Sequence, residues 1–287
     1  MKMRAEGQIG DGGVARESKV GGPPSESQSE QYSLAKILGI WALAAAPMGI
    51  LNWIVFPLVA PDFGADPLGF GVTLMVLLTL GLVWLFVLSM IIVHREEGDL
   101  RWATIKRRLR LNAPRDPKTG ESRPRLWLRV VPFLVAVAVV ELVLKTPIES
   151  AWVSVFPFLA QPQGYGFDVI FGFQDILVAL EGAWWFMASF VIFAVFNTIL
   201  GEELLFRGVL LPKMEGVFGR GSWVANGILF GLYHVHQPWV IPNAVLTSLL
   251  YTFPAYRYRS TWMSIIVHSA QSVYFAFLVL GVVLGLA

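Results

Sequence analysis

The chain has 287 residues, 55% of them hydrophobic and 15% charged, with a formal net charge of +2. That balance excludes a soluble globular domain, which needs more polar surface to cover its core. The charge argues against a nucleic-acid partner, and the absence of cysteine rules out disulfides, thiolate metal sites and a cysteine nucleophile.

Residues 1–31 are rich in Gly, Ser, Glu and Gln, with Pro23 and Pro24 adjacent. They predict a disordered cytosolic tail and lack the apolar core of a cleavable signal peptide. From residue 32 to 287 the pattern predicts one all-α domain, a polytopic transmembrane bundle of about seven spans. A hydrocarbon core of ~30 Å needs about 20 apolar residues in a helix. The first two spans fall at 35–59 and 68–93. A polar stretch, 94–125, separates them from a third at 127–144, which carries Arg129 near its start and Glu141 near its end. The proline-rich segment 145–181 reads as mixed, with apolar residues at helical spacing over 165–180 that fit an interfacial helix, an eighth element. The fourth span starts near Ala183 and continues past Leu211. The fifth, sixth and seventh are 222–236, 241–256 and 261–285. The fifth and sixth are short, and with Pro238 and Pro242 between them they also fit a hairpin that stops short of the far surface. Basic residues crowd 94–125 and recur at Lys213, Arg220, Arg257 and Arg259, while 61–67 has acids only. Loop charge therefore predicts a cytosolic amino terminus and an external carboxyl terminus.

Ionisable groups inside a span are costly and default to a functional reading. The fourth span holds Glu202, Glu203 and Arg207. Glu203 and Arg207, four apart, share a helix face and can pair. Glu202 is rotated about 100° away from that partner, which leaves its carboxylate available as a general base or acid. The fifth span places Asn226, Phe230 and His234 at intervals of four. The seventh carries His268, with Gln271 and Ser272 one turn on. Counting depth at ~1.5 Å per residue puts Glu202, His234 and His268 in one layer of the membrane. His236 reads as structural and turned away from His234.

These residues resemble the CAAX protease and bacteriocin-processing (CPBP, or Abi) family of intramembrane endopeptidases. The first family motif corresponds to Glu202, Glu203 and Arg207, the second to Phe230 and His234, the third to His268. Ser272 stands where the eukaryotic prenyl-protein proteases have asparagine. The resemblance covers roughly 196–272, and the family core is expected at about 183–285. It implies a protease in which Glu202 and His234 activate water against a peptide carbonyl while His268 stabilises the oxyanion, with Glu203, Arg207, Phe230, Asn226 and Ser272 in support. The implied partners are a peptide or membrane-protein substrate and the lipid bilayer. The family is often labelled as metalloproteases, and Glu202, His234 and His268 have the residue types of a zinc site. The reading leans instead to no tightly held metal, because no additional carboxylate offers itself as base. The competing reading is a non-catalytic membrane scaffold or bacteriocin-immunity protein that keeps the same polar core. A bacterial plasma membrane is the expected location.

Overall fold

Long apolar helices dominate the computed structural model, which describes residues 30–166 and 171–286. Up to residue 29, the predicted tail lies outside the described residues. Five helices are long and apolar enough to cross a membrane: α1 (Leu34–Val59), α2 (Pro67–Glu97), α4 (Pro124–Val155), α6 (Trp184–Lys213) and α9 (Thr261–Val283). Between them lie α3 (Trp102–Arg108), α5 (Gln174–Leu180), α7 (Ser222–Tyr233) and α8 (Ile241–Tyr258). No named strand occurs among the described residues. The all-helical expectation holds, and the fifth and sixth predicted spans correspond to α7 and α8, neither of which is among the five. At 12 residues, α7 extends only about 18 Å.

The third predicted span was drawn too short. Helix α4 continues through Pro147 to Val155 because a wide π-turn over Val140–Leu144 restarts the helix at Lys145. The proline then falls in a first turn, where its missing N–H is tolerated. Within 165–180, only part of which is described, helix α5 sends Ile176 and Leu180 into the main core.

Helix α7 ends inside the bundle, where lipid offers no water to its freed carbonyls. His234 meets two of them, with Nδ1 3.0 Å from Phe230 O and its backbone N–H donating to Gly231 O (3.1 Å), and donors from α1 reach carbonyls within α7 and just beyond it. Trp41 Nε1 donates to Leu229 O (2.7 Å), Asn52 Nδ2 to His236 O (2.8 Å) and Trp53 Nε1 to Val235 O (2.9 Å). Helices α7 and α8 pack as a close pair along Gly227 and Gly231, a small-xxx-small face. A Cβ on Gly231 would lie 2.1 Å from Val245 Cγ2 and 2.8 Å from the Val245 backbone. Gly231→Ala is therefore expected to force the pair apart and cost about 1–3 kcal/mol. Thermal unfolding of the purified variant checks this, and an unchanged Tm contradicts it.

Near one end of the bundle, α2, α3 and α6 are clamped by charge. Arg108 is buried and contacts Glu96 (2.8 Å), the Tyr32 hydroxyl (3.0 Å) and the Gly208 carbonyl (3.2 Å). Tyr32 donates to Glu96, and its backbone N–H donates to Lys213 O at 3.0 Å. This clamp fixes the end of α6, the helix that carries the acidic pair.

Candidate active site

Helix α6 is not regular where its charges lie. π-turns over Phe196–Gly201 and Leu204–Leu210 bracket Glu202 and Glu203, and such widened turns are frequent at functional sites. Gly201 lets this stretch approach α2: a Cβ there would lie 2.8 Å from the Leu82 carbonyl oxygen and 2.5 Å from that of Phe196. Only glycine fits, so the acidic pair is pressed into the bundle.

The predicted pairing of Glu203 with Arg207 is present. Arg207 Nη1 lies 2.9 Å from Glu203 Oε1, and both side chains are fully buried. Arg207 also donates to Ser248 Oγ (3.0 Å) and Thr252 Oγ1 (3.2 Å) on α8. Its guanidinium carbon sits 4.2 Å from the centre of the Phe230 ring, a cation–π contact strengthened by the absence of water. Phe230 thus earns its motif position by packing. Its ring also contacts His234 (5.0 Å) and His268 (5.9 Å).

Glu203 has a second partner that the sequence did not reveal. Its Oε1 accepts from His268 Nδ1 at 2.9 Å. A carboxylate paired with arginine can only accept, so the proton on His268 is held at Nδ1 and Nε2 is the free nitrogen of the neutral ring. That Nε2 lies 3.8 Å from Glu202 Oε2. The gap is too long for a hydrogen bond and suits a bridging water. Tyr251 stacks on the other face of His268 (4.4 Å, 15°) and holds the ring plane.

His234 follows the last residue of α7. Its Nδ1 lies 3.0 Å from the Phe230 carbonyl, an acceptor, which again fixes the proton on Nδ1 and leaves Nε2 unprotonated in the neutral ring. His236 corrects an expectation. Rather than turning away, its ring stacks on His234 (5.4 Å, 23°), because the helix has ended and the 100° periodicity no longer applies. Asn226 lies elsewhere. Its Nδ2 donates to the Phe206 carbonyl (2.8 Å) and its Oδ1 accepts from Thr252 (3.5 Å), so it braces the widened turn of α6.

Glu202, His234 and His268 line one cavity of about 430 Å³. Met48, Leu78, Leu82, Phe190 and Phe193 supply an apolar wall. Glu141, Lys145 and Glu149 of α4 and Gln271 and Ser272 of α9 also line the cavity. Glu141, which the sequence places in a span without a role, is a further carboxylate at the cavity. The rule that ionisable residues in spans are functional could have flagged it.

The donor types at this centre suit a divalent metal. Among the described residues, no group of three or more His, Asp or Glu side chains is placed to hold one.

A cavity lined by carboxylates and imidazoles within a bundle of membrane-length helices marks an integral membrane protein. Residues 183–274 match the family model described as type II CAAX prenyl endopeptidase Rce1-like. The match spans about a third of the chain and all three motifs, so the resemblance to the CAAX protease family holds there, and that family is one of proteases. No curated protein and no solved structure matches the chain.

Proposed function

We propose that the protein is an intramembrane endopeptidase that hydrolyses a membrane-proximal peptide bond with water activated by Glu202. The observation that carries this reading is the 3.8 Å gap between Glu202 Oε2 and His268 Nε2 inside the shared cavity. Two acceptors facing each other at that distance are reconciled by a molecule with two donors, and a water fits. Glu202 takes one proton as the water oxygen bonds to the peptide carbonyl carbon. It then gives that proton to the amine as the carbon–nitrogen bond breaks. Glu203 holds His268 in the tautomer that leaves Nε2 free to orient the water. His234 lines the same cavity, with its Nδ1 proton held by the Phe230 carbonyl. This assigns His268 to water rather than to the oxyanion, because its one ring proton is committed to Glu203.

The substrate enters from the bilayer against the apolar wall and carries its polar backbone past α4. Loop charge supports a cytosolic amino terminus, and a bacterial plasma membrane remains the proposed location. The direct-water reading predicts that cleavage of a membrane-anchored fluorogenic peptide survives prolonged chelation with less than a threefold loss. A loss restored by zinc would replace it with a metal mechanism.

The deciding experiment compares wild type and Glu202→Gln in lipid nanodiscs with that peptide. The variant is expected to lose at least about 10³-fold in kcat with Tm unchanged. Wild-type turnover by Glu202→Gln would return the protein to the scaffold or immunity reading, which keeps the polar core without chemistry.

A further inference from the structure

The centre described above is rich in acceptors and short of donors. Neutral His268 and His234 each commit their ring proton to another group (Glu203 and the Phe230 carbonyl), and Glu202 can only accept while it is ionised. Attack of water on a peptide carbonyl pushes the carbonyl π pair onto oxygen, and that developing charge needs a preorganised donor.

One turn beyond His268, on the same helix, Gln271 reaches the cavity. Its Nε2 donates to Glu141 Oε2 at 3.1 Å. The other oxygen of that carboxylate, Oε1, accepts from Asn243 Nδ2 at 3.0 Å, and Lys145 Nζ stands 4.0 Å away. A carboxylate between two amide donors and a lysine only accepts. It therefore selects the flip state of Gln271 in which the NH₂ group, not the amide oxygen, faces α4. An amide nitrogen carries two protons. Glu141 takes one and the second is left for the cavity.

We propose that Gln271 is the oxyanion donor of this enzyme and that Glu141 is its positioning residue. The inference rests on the hydrolytic reading above. The donor sits one turn from the group that orients water, so attack and charge stabilisation come from one rigid helix, and Ser272 is relieved of a task its short hydroxyl reaches poorly. Lys145 offsets the charge of Glu141, which would otherwise oppose an anion forming nearby. Glu141 and Gln271 then form a unit across α4 and α9: the carboxylate touches no substrate and acts only by holding the amide.

The test is steady-state cleavage of the membrane-anchored fluorogenic peptide by wild type, Gln271→Leu, Glu141→Gln and Glu202→Gln, each with its Tm. Loss of a single oxyanion donor predicts that Gln271→Leu lowers kcat about 10²-fold with KM within threefold. Glu141→Gln can no longer dictate the amide flip and is expected to lower kcat about tenfold, again without moving KM. If Gln271→Leu fails to fold, Glu141→Gln alone decides. Values of kcat within threefold of wild type for the folded variants, or a loss confined to KM, overturn the assignment. In either case an inactive Glu202→Gln shows that the hydrolytic reading stands, whereas an active Glu202→Gln removes both.

Discussion

Arg207→Met should cost about 3–5 kcal/mol of unfolding free energy, the effect of leaving one member of a buried ion pair without its partner. The side chain lies with Glu203 in the fully buried centre of the bundle, and its other contacts are two hydroxyls and the rings of Phe230 and Tyr251. None of these can neutralise Glu203, whose other polar partners are His268 and the Ser264 hydroxyl. The expected sequel separates stability from chemistry. In Glu203→Gln/Arg207→Met no charge of the pair remains, and an apolar side chain fills the space, so most of the lost stability should return. Equilibrium unfolding in detergent measures both. A double variant as unstable as the single would mean that the guanidinium holds α8 through Ser248 and Thr252 more than it balances Glu203.

Activity should not return with stability. Glu203→Gln/Arg207→Met is expected to lower kcat roughly 10³-fold, by analogy with triads in which an amide in place of the orienting carboxylate admits the wrong imidazole tautomer. Glu203 accepts the His268 Nδ1 proton at 2.9 Å. A glutamine can present N–H there instead, which moves the ring proton to Nε2 and blocks the lone pair that faces the water. A stable double variant with wild-type turnover would show that Glu203 is a structural counter-ion and nothing more.

Much of this was legible in the sequence because lipid imposes simple rules. Apolar length fixed α1, α2, α6 and α9 within a few residues, and the penalty for burying charge drew attention to Glu202, Glu203, Arg207 and His268. What escaped notice depended on departures from ideal helix geometry. The π-turn at Val140–Leu144 lets α4 pass Pro147, and no propensity scale registers it. The early end of α7 brings His236 onto His234 and leaves the Val235 and His236 carbonyls to Trp53 and Asn52, from a helix far away in sequence. The bond from Glu203 to His268 was hidden for a different reason. A sequence pairs groups by spacing within one helix, and here the i,i+4 partner Arg207 was so evident that a second partner across the bundle went unsought.

Attack by water depends on Glu202 and His268 acting as one unit, and a double-mutant cycle on kcat probes that coupling without identifying the natural substrate. Glu202→Gln, His268→Gln and the combination would be compared with wild type on the anchored peptide under single-turnover conditions. Groups that share one water should be strongly non-additive, so the combined variant is predicted to be no slower than the slower single variant, within about threefold. If the two losses instead multiply, the carboxylate and the imidazole work on separate steps, and the bridging water does not exist.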